Sequence, residues 1–203
     1  MTDSDAGHDD ALIRGTPAGW DARYRGGDIP WDTGIVPPEV VELVASGLLK
    51  PGWALDLGCG RGLSSRYLAQ YGFRVIGVDL AHSALAWGNR AAQAAGLPAY
   101  FCQGDVAERG FLKTCATFAL DVGCFHAVDP DRRAEYVASL AGHLAAGAFY
   151  LLYAFDPAGA APRGPHGIGP REIAEFAPHF ILRWVRHGQD RDRVSAWYLL
   201  QRA

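Results

Sequence analysis

An apolar run from Trp53 to Leu57 leads into Gly58-Cys59-Gly60-Arg61-Gly62, and Ser64 to Ala69 follows with helical spacing. The stretch reads as a buried strand, a glycine-rich turn and a helix. A chain built around that unit is constrained to an α/β fold with parallel strands. Glycines are needed where the turn is tight and a ligand must approach the backbone closely. The helix behind the turn offers unpaired N–H groups and a partial positive charge.

The spacing narrows the ligand. Gly58 and Gly60 fit a dinucleotide fingerprint, but Leu63 occupies the third glycine position and Gly62 comes one residue early. Asp56, just before the first glycine, would repel a pyrophosphate and attract a cation or an amino group. Phe73 to Val78 reads as a second strand, ending at Asp79, where an acid suits the hydroxyls of a ribose. A third strand, Ala99 to Gln103, ends in Gly104-Asp105.

Asp56-x-Gly58-x-Gly60-x-Gly62, with Asp79 and Asp105 at the next two strand ends, resembles the class I S-adenosylmethionine (SAM) methyltransferases. The resemblance covers the chain from about Trp20 onward. It implies a Rossmann-like three-layer sandwich whose seven-stranded, mostly parallel sheet ends in an antiparallel hairpin. It implies SAM as cofactor, with Gly58, Cys59 and Gly60 against its methionine part. Asp79 and Leu80 would face the ribose, and Asp105 and Val106 the adenine.

Trp20-x-x-x-Tyr24-x-x-Gly27-x-x-Pro30-Trp31-Asp32-x-Gly34 resembles the N-terminal signature of the thiopurine and halide/thiol methyltransferase branch. Its specific part is Pro30-Trp31-Asp32-x-Gly34; position 24, often Trp in that branch, is Tyr here. The resemblance implies a lid over the cofactor, with Trp31 touching it and Tyr24 and Trp31 walling the acceptor site. Packing as a plain cover over the sheet is the alternative. Trp20 to Tyr24 predicts one or two helical turns.

Glu39 to Leu49 has the apolar spacing of a helix, stopped by Gly47 and Pro51-Gly52. Further helices are expected over Ser64–Tyr71, His82–Ala95 and Asp131–Ala145, the last with Arg132, Arg133 and Glu135 on its exposed side. Phe111 to Thr117 carries a weak pattern before a fourth strand, Phe118–Val122, and Ala148–Phe155 reads as a fifth. The loop from Asp156 to Pro170 is long and unpatterned, which favours a functional or disordered segment. A short helix over Arg171–Phe176 follows. Ile181–His187 and Arg193–Gln201 read as strands around a Gly188-Gln189-Asp190 turn. Residues 1–17 are expected to be an unstructured tail and 18–203 one domain, with 18–50 a lid and helix and 51–203 the cofactor-binding core.

Composition limits the partners. A net charge of −3 with no dense Lys/Arg block argues against a sequence-independent nucleic-acid surface. No stretch is long and apolar enough to span a membrane. Cys59, Cys102, Cys115 and Cys124 form no Cys-x-x-Cys pair, so buried reduced thiols in a cytoplasmic protein are expected, with no metal site. The acceptor is then a small molecule rather than a macromolecule.

The fourth strand runs into Gly123-Cys124-Phe125-His126. A strand end at that point lies beside the transferable methyl, so His126 is the candidate general base, with hydrogen bonding of the fold or pocket lining as the alternatives. Asp121 would accept either from the cofactor's amino group or from a neighbouring N–H, or it is a buried structural acid. Tyr24, Trp31, Phe125 and Tyr153 are candidate aromatic walls for the acceptor, with core packing as the alternative for each, and Arg163 and His166 are candidate contacts for an anionic one, with solvation as theirs. O- or S-methylation of an aromatic or heteroaromatic acceptor fits a basic His126. Halide or N-methylation, or a non-methylating step of the same fold, stand as alternatives.

Overall fold

The computed structural model describes residues 15–108, 110, 115–157 and 167–203. The acidic stretch 1–14, residues 111–114 before the fourth strand, and Arg163 and His166 lie outside the described residues.

Seven strands form one sheet in the order β3-β2-β1-β4-β5-β7-β6. These are β1 (Trp53–Leu57), β2 (Arg74–Asp79), β3 (Ala99–Gln103), β4 (Ala116–Val122), β5 (Leu144–Phe155), β6 (Phe180–Asp190) and β7 (Arg193–Arg202). The first five pair in parallel; β7 is antiparallel to both β5 and β6. The helices are α1 (Pro17–Gly26), α2 (Pro38–Ala45), α3 (Leu63–Gln70), α4 (His82–Ala94), α5 (Arg133–His143) and α6 (Pro170–Ala174). The strand order reverses between β1 and β4, which opens a crevice at their carboxyl ends.

Both faces of the central strands are covered, so they are nearly all apolar. Along β4 the side chains alternate: Phe118 and Leu120 join a core with Val40, Leu68, Phe73 and Leu151. Ala119 points the other way, into a core with Leu57, Tyr136, Leu140, Tyr150 and Phe176. Leu151 and Leu152, neighbours on β5, are both fully buried, one on each face. Burying each contributes about 1.5–3 kcal/mol.

Several boundaries differ from the sequence pattern for identifiable reasons. Helix α1 is longer than one or two turns because Thr16 caps it, accepting from the Gly19 N–H at 3.1 Å, and Gly27 ends it with φ of 76°. Strand β5 begins at Leu144 rather than Ala148, because Ala116 pairs with Leu144 before the β4–β5 register shifts. The hairpin turn is Arg191-Asp192, not Gly188-Gln189-Asp190. Gly188 lies inside the ladder opposite Ser195, and Arg191 takes the left-handed φ of 58° that suits a two-residue turn. Arg133 was expected on the exposed side of α5; it is buried, its guanidinium 5.5 Å from the Phe125 ring.

Helix α4 has no cap of its own, and α1 supplies one. Asp21 accepts from the Ser83 N–H at 2.6 Å, which holds its carboxyl below the usual carboxylate range. This contact docks the N-terminal segment onto the core. Among the described residues no helix is long and apolar enough to cross a membrane.

Candidate active site

A cleft of roughly 2040 Å³ lies over the carboxyl ends of β1, β2, β3 and β4, between the N-terminal segment and the β6–β7 hairpin. That exceeds the ~300–1,000 Å³ usual for a single small ligand, so two ligands can lie side by side.

At one end the glycine turn and Asp79 are locked together. Asp79 accepts from the Gly60 N–H and the Ala81 N–H, each at 2.8 Å. Burial raises its pKa, and these backbone donors hold it down. Gly60 has φ of 52°, and a Cβ there would collide with the Tyr24 hydroxyl, so the N-terminal segment rests directly on the turn. Gly62, with φ of 67°, starts α3 and leaves no room for a Cβ beside the Phe101 ring.

Asp56 is nearly buried at the cleft floor and accepts from Ser65 Oγ at 2.5 Å. Burial lifts its pKa to about 7, aided by the charges of Asp121 and Asp79 and opposed by the Ser65 bond. A cation above it would restore the carboxylate. Asp105 faces the cleft beside Leu80 and Val106 and accepts from the Ala107 N–H at 2.9 Å and from Arg132 at 2.6 Å. Arg132, unforeseen as a cleft residue, is held in turn by Glu135.

The N-terminal segment closes the roof. Trp31 donates its indole N–H to Tyr24 Oη at 3.1 Å, and Trp20 packs edge-on against Trp31. Both Tyr24 and Trp31 line the cleft. Burial pushes the Tyr24 hydroxyl pKa up. The hairpin supplies the far wall, tied to the N-terminal segment by Arg191, which donates to Pro30 O at 3.2 Å, and to α2 by the Arg186–Glu42 pair. Tyr153, Phe155 and Trp197 line this end, with Tyr153 donating to Asp190 at 3.0 Å. Its pKa rises to about 12, chiefly by burial.

At three positions the structure matches one of the alternatives left open by the sequence. Asp121 does not reach the cleft: it is fully buried and accepts from the Cys124 and Phe125 N–H groups at 2.7 and 3.0 Å, and from the Tyr136 hydroxyl at 2.6 Å. It fixes the turn after β4 from behind, although burial lifts its pKa to about 6. Phe125 is not an acceptor wall but core, fully buried against Tyr136 and Phe176.

His126 lines the cleft and also hydrogen-bonds the fold. Its Nδ1 accepts the Phe155 N–H at 3.2 Å, which puts the hydrogen of the neutral ring on Nε2. The ring stacks on Phe155. Burial, with Arg193 and Arg133 nearby, lowers its pKa to about 3. It is a neutral hydrogen-bond donor at physiological pH. Cys124 also lines the cleft, and burial keeps its thiol protonated.

These residues fit an adenosyl cofactor carrying an amino acid. The glycine turn admits close backbone approach, the two strand-end acids face the cleft, and Asp56 opposes a pyrophosphate. The hairpin wall and Arg132 escaped the sequence reading. Asp129-Pro130 marks a turn there, but nothing local says that the following arginine points back to β3.

Residues 54–147 match the family described as "Methyltransferase domain". A 2-heptyl-1-hydroxyquinolin-4(1H)-one methyltransferase of Mycobacteroides abscessus is 30% identical over 155 residues, which is 74% of this chain and 67% of that protein. A probable thiol methyltransferase 2 of Arabidopsis thaliana is 36% identical over 74 residues, 36% of this chain and 33% of that one. Among solved structures, a Burkholderia thailandensis 1,6-didemethyltoxoflavin-N1-methyltransferase superposes with a TM-score of 0.77 at 21% identity, covering 96% of this chain and 89% of its own. At that identity the likeness speaks to the fold.

Proposed function

The chain belongs to the class I SAM-dependent methyltransferases, and from that premise we propose that it methylates a small heteroaromatic molecule at an acidic oxygen or sulfur. The observation that carries this reading is the division of one cleft into two ends. The glycine turn, Asp79 and Asp105 line one; Trp31, His126, Tyr153, Phe155 and Trp197 line the other.

When bound, the cofactor supplies a methyl activated by its sulfonium. The chain binds, orients and excludes water. Gly58, Cys59 and Gly60 would present backbone to the methionine part, with Asp56 below its charged amino group. Asp79, beside Leu80, would accept from the ribose hydroxyls, and Asp105, beside Val106, from the adenine amine. Trp31 and Tyr24, which line the cleft, would close the roof over both ligands. Aromatic walls suit a flat acceptor and, through cation–π attraction, a sulfonium. His126 offers its Nε2–H as a donor to the acceptor. A heteroaromatic hydroxyl or thiol that ionises near neutral pH needs no base from the chain. The names of the quinolone and thiol methyltransferases similar to this chain are in keeping with such acceptors.

The test is incubation of the purified protein with SAM and a panel of hydroxyquinolones, thiophenols, amines and halides, following S-adenosylhomocysteine and methylated product by mass spectrometry. Turnover of the hydroxyl or thiol compounds supports the reading. Turnover confined to amines or halides, or consumption of an acceptor without S-adenosylhomocysteine, overturns it.

A further inference from the structure

We infer that Arg132 is a positioning residue for cofactor selectivity: it holds Asp105 so that the adenine end of the cleft takes a 6-aminopurine and refuses a 6-oxopurine. The inference rests on the reading of Asp105 as the adenine contact.

Asp105 sits just past the end of β3, held from two directions. The Ala107 N–H donates to Oδ1 at 2.9 Å, and Arg132 Nη1 donates to Oδ2 at 2.6 Å. Arg132 comes from the helical turn Pro130–Arg132, whose start is capped by Asp129. Its Nε donates to Glu135 Oε2 at 3.2 Å on α5. The guanidinium therefore spans two acids from separate elements, and the hydrogen bond to Asp105 raises its own pKa. It is charged at every relevant pH.

A carboxylate has about four acceptor positions on its two oxygens. Two are filled here, and Asp105 and Arg132 both line the cleft. The remaining lone pairs can take an exocyclic amine. They repel a carbonyl oxygen, which is the group a 6-oxopurine presents at the same place. Without Arg132, Asp105 keeps only its Ala107 bond and is free to turn, so the acceptor is no longer fixed in direction. A partly exposed ion pair contributes only ~0–1 kcal/mol to stability. The consequence of the pair should therefore appear in ligand choice rather than in folding.

The experiment is calorimetric titration of S-adenosylhomocysteine and S-inosylhomocysteine into the wild type, Arg132→Gln, Asp105→Asn and the double variant, with thermal unfolding of each as a check on folding. Arg132→Gln is expected to weaken the adenosyl ligand about tenfold and the inosyl ligand less than about twofold. Added to Asp105→Asn, it is expected to cost less than about twofold more, because its target is gone. Equal weakening of both ligands overturns the proposal, as does a full tenfold loss that persists in the Asp105→Asn background. If Asp105→Asn weakens adenosyl binding while Arg132→Gln does not, the role of Arg132 fails alone. If Asp105→Asn changes nothing, the reading of the adenine contact fails, and this proposal with it.

Discussion

His126 should make the protein lose stability in mild acid, and the size of the loss follows from its surroundings. The ring is 5% exposed, and its Nδ1 is occupied by the Phe155 N–H. Its pKa is lowered to about 3, mainly by burial. In the unfolded chain the same imidazole titrates near ~6.5. Below that pH the unfolded chain binds a proton that the folded chain does not. The contribution to stability is therefore full above the unfolded value and is lost as pH falls toward the folded one. The slope is ~1.4 kcal/mol per pH unit, so going from pH 7 to pH 5 removes ~2 kcal/mol through this residue alone.

His126→Gln is the informative variant, because Gln keeps an acceptor for the Phe155 N–H and does not titrate. Guanidinium unfolding of both proteins at pH 7 and pH 5 should show the variant losing ~2 kcal/mol less than the wild type. Titration of Asp56 and Asp121 is common to both proteins and cancels in that difference. Identical losses would refute the claim that the ring is held neutral. The pH profile of kcat/KM gives a second reading: its shape, as distinct from its height, should be the same in the two proteins.

Tyr136→Phe removes a hydroxyl that donates to the buried Asp121 carboxylate at 2.6 Å. A hydrogen bond to a charged group contributes ~1.5–3 kcal/mol, and denaturant midpoints should register that loss; a change below ~0.5 kcal/mol would mean Asp121 is satisfied without it. Asp21→Ala takes the cap from α4 and should cost ~1 kcal/mol, with faster proteolysis of the 17–37 segment. Because the Asp21 pKa is lowered by that bond, the contact is full above the ordinary aspartate range and fades as pH drops below it, so lid proteolysis should quicken in acid. Asp79→Ala should abolish S-adenosylhomocysteine binding in calorimetry; retained affinity would remove Asp79 from the ribose site.

The sheet and its crevice were legible because they rest on local pattern. Trp53–Leu57 is one apolar run, Gly58 to Gly62 can only be a turn, and β3 falls on Ala99–Gln103 as read. What escaped has one cause: contacts between elements far apart in the chain. Arg132 meets Asp105, Asp21 caps α4, Arg191 reaches Pro30 and Arg186 reaches Glu42. Each is a single polar pair, and no periodicity encodes it. The hairpin became a cleft wall because of such pairs, and because its turn begins three residues beyond Gly188.

The strand-end acids carry the sharper lesson. Asp56 and Asp121 end neighbouring parallel strands, and from sequence they look equivalent. Their partners in the ladder show that they are not: Asp56 lies opposite Leu120, whereas Asp121 lies opposite Leu57. Side chains alternate across a strand, so a one-residue offset in register sends the two carboxylates to opposite faces. Asp56 meets Ser65 of α3 at the cleft floor, and Asp121 meets Tyr136 of α5 inside the core. The same parity takes Phe125 into the core, because the turn that Asp121 anchors begins on that face. His126 follows one residue later and reaches the cleft, where the Phe155 N–H fixes its ring nitrogen. The orientation of its ring is thus set by a backbone group of β5, which the Gly123–His126 sequence could not reveal.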